Sequence, residues 1–132
     1  MLKSIAIAGV VLIAATGTAL AQSDCSAPIP PAAPPSKPSL NQISDASHDA
    51  KQFMKQSDDY QECLTRELRQ KQAKAAKDKK ELDPSIADST QAQIDQNQRL
   101  KEQVGTEFQT ALLNFCKANP NGDPACKKIL GQ

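Results

Sequence analysis

Four cysteines, Cys25, Cys63, Cys116 and Cys126, are the residues of this sequence with the clearest potential for chemistry. Cysteines form disulfides, ligate metals or act as redox thiols. The sequence has no C-x-x-C motif, and no cysteine has a fixed histidine or arginine neighbour that would activate its thiol. We therefore expect two structural disulfides. A thiol redox or metal protein is kept as the last of three functional alternatives.

Chain geometry ranks the three ways of pairing four cysteines. Cys116 and Cys126 flank a predicted helix end and a turn that contains proline and glycine, so two short antiparallel helices would bring them together. Cys25 is then left with Cys63. An extended Pro-rich segment that folds back along the first helix is long enough to make this connection. We therefore predict the bridges Cys116–Cys126 and Cys25–Cys63.

A bridge between Cys63 and Cys116 is harder to build. If the helical hairpin turns near Asp83, Cys63 lies opposite roughly residue 102, about 20 Å along the axis from Cys116. A disulfide tolerates only about 7 Å between Cα atoms.

No residue set in the sequence indicates catalysis. His48 is the single histidine, and its neighbours do not form a nucleophile elbow. Asp45 with Asp49, and Asp58 with Glu62, are carboxylate pairs one helical turn apart, but on a polar helix face such pairs are usually solvated. Metal sites need clustered ligands, which the dispersed cysteines do not supply. We predict no catalytic, cofactor-binding or metal-binding residue, no cofactor and no enzymatic activity.

A basic cluster lies in residues 66–80, where positive charges outnumber negative ones. Lipid headgroups, an acidic protein or a polyanion are possible ligands for such a cluster at a hairpin tip. The stretch has no aromatic residue to stack on bases, so we expect no nucleic-acid binding. The alternative interpretation is a solvated helix with interspersed charges. The candidate anion-binding residues are Arg66, Arg69, Lys71, Lys74, Lys77, Lys79 and Lys80.

The first 21 residues have the three parts of a secretory signal peptide. Lys3 provides the charged start, residues 5–20 the apolar run, and Ala19-Leu20-Ala21 the cleavage box. The run is shorter than the roughly 20 apolar residues of a membrane span. We expect cleavage near Ala21, a periplasmic or secreted bacterial protein, and no stable transmembrane segment after cleavage.

An extended arm and a long helix follow the signal. Residues 22–38 hold six of the nine prolines, a composition that favours polyproline II. Ser39 with Gln42 is typical of a capping box, and residues 39–83 contain no glycine or proline. Apolar and small residues recur at three- and four-residue steps, which predicts an amphipathic helix. They are Ile43, Ala46, Ala50, Phe53, Ser57, Tyr60, Leu64 and Leu68.

Two Asp-Pro pairs, at residues 83–84 and 123–124, each predict a capped helix start. The sequence Asn-Pro-Asn-Gly at 119–122 ends the second helix, and residues 125–130 form a short third one. The predicted fold is all-α. Residues 39–132 form an antiparallel two-helix hairpin of coiled-coil type with a short C-terminal helical turn, and residues 22–38 form an extended Pro-rich N-terminal arm. The second stripe is Ile86, Ile94, Leu100, Val104, Phe108, Ala111, Leu112 and Phe115.

The segment Tyr60-Gln61-Glu62-Cys63-Leu64, preceded by a Cys- and Pro-rich start and a signal peptide, resembles small exported bacterial helical proteins of unknown function. The resemblance implies a helical fold and a periplasmic location, without an activity. We expect a non-enzymatic protein-interaction or structural module of the cell envelope. It would bind a protein partner, or itself, through an apolar helical face around Phe53, Tyr60, Phe108 and Phe115. Peripheral binding to anionic envelope surfaces through residues 66–80 is the alternative.

Overall fold

A computed structural model describes residues 24–131 and contains three α-helices and, within those residues, no strand. Helix α1 is Leu40–Lys77, α2 is Pro84–Ala118 and α3 is Pro124–Ile129. Helices α1 and α2 pack against each other as an antiparallel hairpin, and α3 packs against the end of α2. The predicted all-α hairpin is therefore confirmed. The predicted signal peptide lies outside the described residues.

Each helix begins at the cap that the sequence predicts. Ser39 accepts a hydrogen bond from the Gln42 N–H (3.3 Å), and the Gln42 side chain accepts one from the Ser39 N–H (2.8 Å). Asp83 Oδ1 accepts from the N–H of Ser85 at 2.9 Å, and Asp123 accepts from the backbone two residues on at 2.7 Å. A proline follows each of these aspartates, in the first helical position, where its missing N–H is not needed.

Helix α1 ends at Lys77, although helix-forming residues continue in the sequence as far as Glu81. Lys79 has a φ of 52°, in the left-handed region that normally favours glycine. The Lys80 N–H donates to Ala75 O (2.9 Å), and the Lys79 N–H donates to Ala76 O (3.1 Å). These two bonds form a Schellman motif, which satisfies the last carbonyls of the helix. A lysine in the glycine position explains why the sequence gives no signal for this helix end.

The core lies along the inner faces of α1 and α2, in two clusters. One joins Ile43 to Ala111, Phe115 and the buried cysteine pair near α3, and the other consists of Ala50, Phe53 and Val104. Residues from both predicted stripes supply these clusters.

The predicted apolar binding face is wrong for three of its four residues. Phe53, Tyr60 and Phe115 are buried inside the hairpin, with 2 %, 8 % and 8 % of their surface exposed. Only Phe108 is half-buried and borders the surface. The reason is that both stripes face each other, so each aromatic ring covers the other helix.

The register of the hairpin also differs from the expectation. The Tyr60 hydroxyl bonds to Gln93, and Asn97 bonds to the backbone of Ser57. Cys63 therefore lies opposite a part of α2 that comes before Gln93 in the chain, and not opposite residue 102. Helix α1 also ends at Lys77, six residues before the turn position assumed from the sequence. The observed register places Cys63 still farther from Cys116 than expected.

Candidate functional site

Two disulfides fix the ends of the molecule. Cys25 is bonded to Cys63 (S–S 2.02 Å, Cα–Cα 5.8 Å) and Cys116 to Cys126 (S–S 2.05 Å, Cα–Cα 5.1 Å). These are the two pairs predicted from the sequence. Their surroundings differ: Cys116 and Cys126 are 0 % and 1 % exposed, whereas Cys25 and Cys63 are half-buried. A solvent molecule or reagent therefore reaches one bridge and not the other.

The first bridge ties the Pro-rich arm along the hairpin. Residues 24–38 are non-helical and run from Cys63 back to the start of α1. Pro31 and Pro34 lie beside Ala46 on α1 and Val104 on α2, so the arm covers a seam between the two helices. Extended Pro-rich backbone suits this position because it needs no hydrogen bonds from its neighbours.

Polar contacts hold the arm at both ends. The Asp24 N–H donates to Glu67 Oε1 at 2.9 Å, beside the Cys25–Cys63 disulfide. Near the other end, Asn114 Nδ2 donates to the carbonyl of Ser36 at 3.4 Å, and Pro38 is buried. The arm is thus attached by packing and hydrogen bonds as well as by a covalent bond.

A second space between the helices is not lined by the arm. We call it the open groove: Ser47, Ala50, Lys51 and Met54 of α1 and Gly105, Phe108 and Gln109 of α2 line a surface depression of about 350 Å³. Its lining surface is almost entirely apolar. Ala50 and Gly105 are small residues in its wall. A Cβ added at Gly105 would lie 3.8 Å from Met54 Cε, which is an ordinary van der Waals contact. Concave surfaces lined mainly by apolar side chains, with a few polar groups at the margin, are typical of binding sites.

A polar layer interrupts the core between α1 and α2. Ser57 is fully buried and Asn97 is 4 % exposed. Asn97 Nδ2 donates to Ser57 O at 3.4 Å, but Ser57 Oγ, Asn97 Oδ1 and Gln61 Nε2 have no hydrogen-bond partner among residues 24–131. Unpaired buried polar atoms cost stability. The sequence stripe included Ser57 but missed Asn97, although Asn97 is three residues from both Ile94 and Leu100.

Tyr60 borders this layer, and its phenol interacts electrostatically with the negative charge of Glu67. Its hydroxyl donates to Gln93 Oε1 at 3.0 Å. Burial, and then the Glu67 carboxylate, raise the pKa of the Tyr60 phenol above 10.0. Both effects disfavour the phenolate, so the neutral hydroxyl is retained well into alkaline solution.

The basic residues 66–80 lie at the end of α1 and in the loop that follows. Lys71 is half-buried, and the other six are exposed. Within residues 24–131, the ion pair present is Lys101 with Asp58, so none of the seven basic side chains is paired. Lys74 and Lys77 lie in the last turn of α1, where positive charge interacts favourably with the helix dipole.

The other sequence candidates stay on the surface. His48, Asp45 and Asp49 are exposed on the first half of α1, and Asp58 and Glu62 are exposed further along it. Such positions are those of solvated helix residues.

The structure brings together one group of potential metal ligands that are not adjacent in the sequence. Among the described residues, Cys25, Cys63 and Glu67 are the group whose sulfur and carboxylate atoms could hold a metal ion, all within 4.8 Å of one another. Sequence reasoning missed Glu67. The available signal was its spacing of four residues from Cys63, which places both on one helix face.

No protein-family model, curated protein or solved structure matches this chain. Among the helices of residues 24–131, none has the length and hydropathy needed to cross a membrane.

Proposed function

We propose that this protein is a non-enzymatic helical module that binds a segment of another protein in the open groove. The observation that carries the proposal is the contrast between the two sides of the hairpin seam. The arm covers one side with Pro31 and Pro34, whereas no residue of the described arm, 24–38, lines the apolar open groove. Covering it would remove apolar surface from water, which is the main favourable term in protein association.

The groove has the character of a protein-binding surface. Met54 and Phe108 supply its large apolar side chains, and methionine adapts its shape to different partners. Ser47, Lys51 and Gln109 form a polar margin around them, as at the rims of protein interfaces. Because Ala50 and Gly105 are small, a helix could approach both α1 and α2 closely. The partner we propose is therefore a helical segment with an apolar face.

The proposed place of action is outside the cytoplasm, after removal of the signal peptide near Ala21. Two disulfides within one small chain support this location, because such bonds persist in oxidising compartments. They also support a structural role for the cysteines. The charged start, apolar run and cleavage box of residues 1–21 add to the same proposal.

A site-specific photocrosslinker tests the binding surface. Placed at Gln109, on the margin of the groove, it should capture a partner in the exporting cell. Gly105→Leu in the same protein should abolish the crosslink by filling the groove, whereas Gln72→Leu, on an exposed position of α1, should leave it intact.

The far-ultraviolet circular dichroism of both variants verifies that they fold. A crosslink only between two copies of this chain would identify self-association as the use of the groove. Absence of any crosslink from Gln109, or a crosslink that Gly105→Leu leaves intact, would contradict the proposal.

A second candidate function is binding to an anionic envelope surface through residues 66–80. The observation in its favour is that none of the seven basic side chains is paired within the described residues. Binding of the purified protein to vesicles with anionic lipid should weaken as salt is added, because salt screens exposed charges. Lys77→Gln with Lys80→Gln should weaken it further, and Lys51→Gln with Lys55→Gln should not. Salt-independent binding, or none, would contradict this candidate.

A further inference from the structure

The half-buried Cys25–Cys63 disulfide has an acidic neighbour in contact range. The two sulfurs of Cys25 and Cys63 and a carboxylate oxygen of Glu67 lie within 4.8 Å of one another. Cys63 and Glu67 are four residues apart on α1, so one helix face holds both. The Asp24 N–H bonds to Glu67 Oε1 at 2.9 Å and so orients the carboxylate beside the sulfurs. Hydrogen bonds of this kind fix the ligands in metal sites.

The surroundings give solvent and reagents access to the sulfurs of this pair. A surface hollow of about 410 Å³ adjoins the pair, and Ser26, Gln56, Asp59 and Tyr60 are among the residues that line it. The other disulfide has no such opening, since Cys116 and Cys126 are 0 % and 1 % exposed. A reductant therefore reaches the Cys25–Cys63 bridge first.

Contacts other than the disulfide also attach the arm to the hairpin, and that of Asp24 is the one next to Cys25. Asp24 is bonded to Glu67, Ser36 is bonded to Asn114, and Pro38 is buried. These contacts favour the return of the arm to α1 after the sulfur–sulfur bond is broken. The Cα atoms of the two cysteines are 5.8 Å apart, so a small separation of the sulfurs makes space for an ion between them.

We propose that Cys25, Cys63 and Glu67 form a binding site for Zn²⁺ when a dithiol has reduced the Cys25–Cys63 disulfide. The dithiol gives up two electrons and becomes a disulfide, and its two protons pass to the cysteine sulfurs. Zn²⁺ then displaces those protons and forms two bonds to sulfur of about 2.3 Å. The Glu67 carboxylate provides an oxygen ligand and water completes a tetrahedron. Two thiolates with one carboxylate suit Zn²⁺ better than Mg²⁺ or Ca²⁺, which prefer oxygen ligands alone.

Titration of the reduced protein with Cd²⁺ tests the site, because cadmium–thiolate bonds absorb in the ultraviolet. The full mature chain is reduced with a phosphine, which does not compete for the metal as a dithiol does. Mass measurement after alkylation should show that only Cys25 and Cys63 have opened. The reduced protein should bind one equivalent of Cd²⁺, Zn²⁺ should displace it, and the oxidised protein should give no band.

The variants distinguish this site from unspecific binding to two thiols. Glu67→Gln should weaken binding by about tenfold or more, whereas Glu62→Gln, an exposed carboxylate beside Cys63, should leave it unchanged. Cys25→Ser should abolish the band while the helical circular dichroism is retained. Equal affinities of Glu67→Gln and the unaltered protein, or no band in the reduced protein, would overturn the proposal.

Discussion

At the scale of single residues, the polar layer is the least expected feature of the hairpin. Ser57 and Asn97 occupy positions where an apolar residue would pack without loss, and three polar atoms of the layer have no partner. In other helical pairs a buried polar contact fixes the register at a cost in stability. The bond from Asn97 to the Ser57 carbonyl links one position of α1 to one of α2, so it can serve this purpose here.

Ser57→Ala should stabilise the protein. The substitution removes a fully buried hydroxyl without a partner and introduces the best helix former, for a gain of about 1 kcal/mol in the free energy of unfolding. Urea unfolding followed by circular dichroism measures the change. Ser89→Ala, at an exposed position of α2, is the matched control and should gain only about 0.5 kcal/mol from helix propensity. A loss of stability in Ser57→Ala would show that the hydroxyl is bonded in solution.

Tyr60→Phe should change how stability depends on pH. At neutral pH the loss of the bond to Gln93 should cost about 1 kcal/mol. The pKa of Tyr60 is raised on folding, so its contribution is complete below 10.0 and is lost as pH rises through the folded-state value.

The difference between the two proteins should therefore shrink above pH 10.0. Chemical unfolding at neutral and alkaline pH measures it, and because Tyr60 is the single tyrosine, no other phenol contributes. A constant difference across the range would contradict the raised pKa.

At the scale of the helices, the sequence predicts where each helix starts but not where α1 ends. Side chains of Ser39, Asp83 and Asp123 carry the cap signals themselves, so the sequence states where each helix begins. The end of α1 depends on backbone hydrogen bonds around Lys79, a residue with no turn preference. Nor does the sequence state the register of the hairpin: a turn assumed near Asp83 placed Cys63 opposite residue 102, whereas Tyr60 in fact bonds to Gln93.

Lys79→Gly should stabilise the hairpin loop. Lysine in the left-handed region is strained by its Cβ, whereas glycine is not, so we expect a gain of up to about 1 kcal/mol. Lys80→Gly, next in the chain and without a positive φ, is the control and should give no gain. Thermal or urea unfolding of both variants measures the effect. Equal changes in the two would mean that Lys79 is not strained.

At the scale of the whole molecule, the arm is a separate layer on the hairpin. The Cys25–Cys63 bond joins it to the middle of α1, and its remaining contacts are few. The sequence predicted this path because Cys25 had to reach Cys63. It did not reveal that a groove beside the arm would stay open, since groove shape depends on the relative rotation of α1 and α2, which the apolar stripes do not determine.

Reduction of the Cys25–Cys63 bond should loosen the arm and leave the helices folded. Limited digestion with a protease that cleaves after alanine should cut after Ala32 faster in the reduced protein, because Ala32 is exposed and the bridge then no longer restrains the arm. Circular dichroism should show unchanged helix content, as the Cys116–Cys126 pair remains protected in the core. Equal cleavage rates before and after reduction would show that the bridge does not hold the arm in place.

The placement of the two bridges also has a mechanical consequence. Tension applied at the N-terminal side enters the fold at Cys25 and passes directly through the disulfide to Cys63, bypassing the arm and the first half of α1. At the other end, the Cys116–Cys126 bond bypasses the turn before α3. Between Cys25 and Cys126, a pulled chain would therefore lengthen only from Cys63 to Cys116, and the segments enclosed by the bridges would carry no load until a sulfur–sulfur bond was cut.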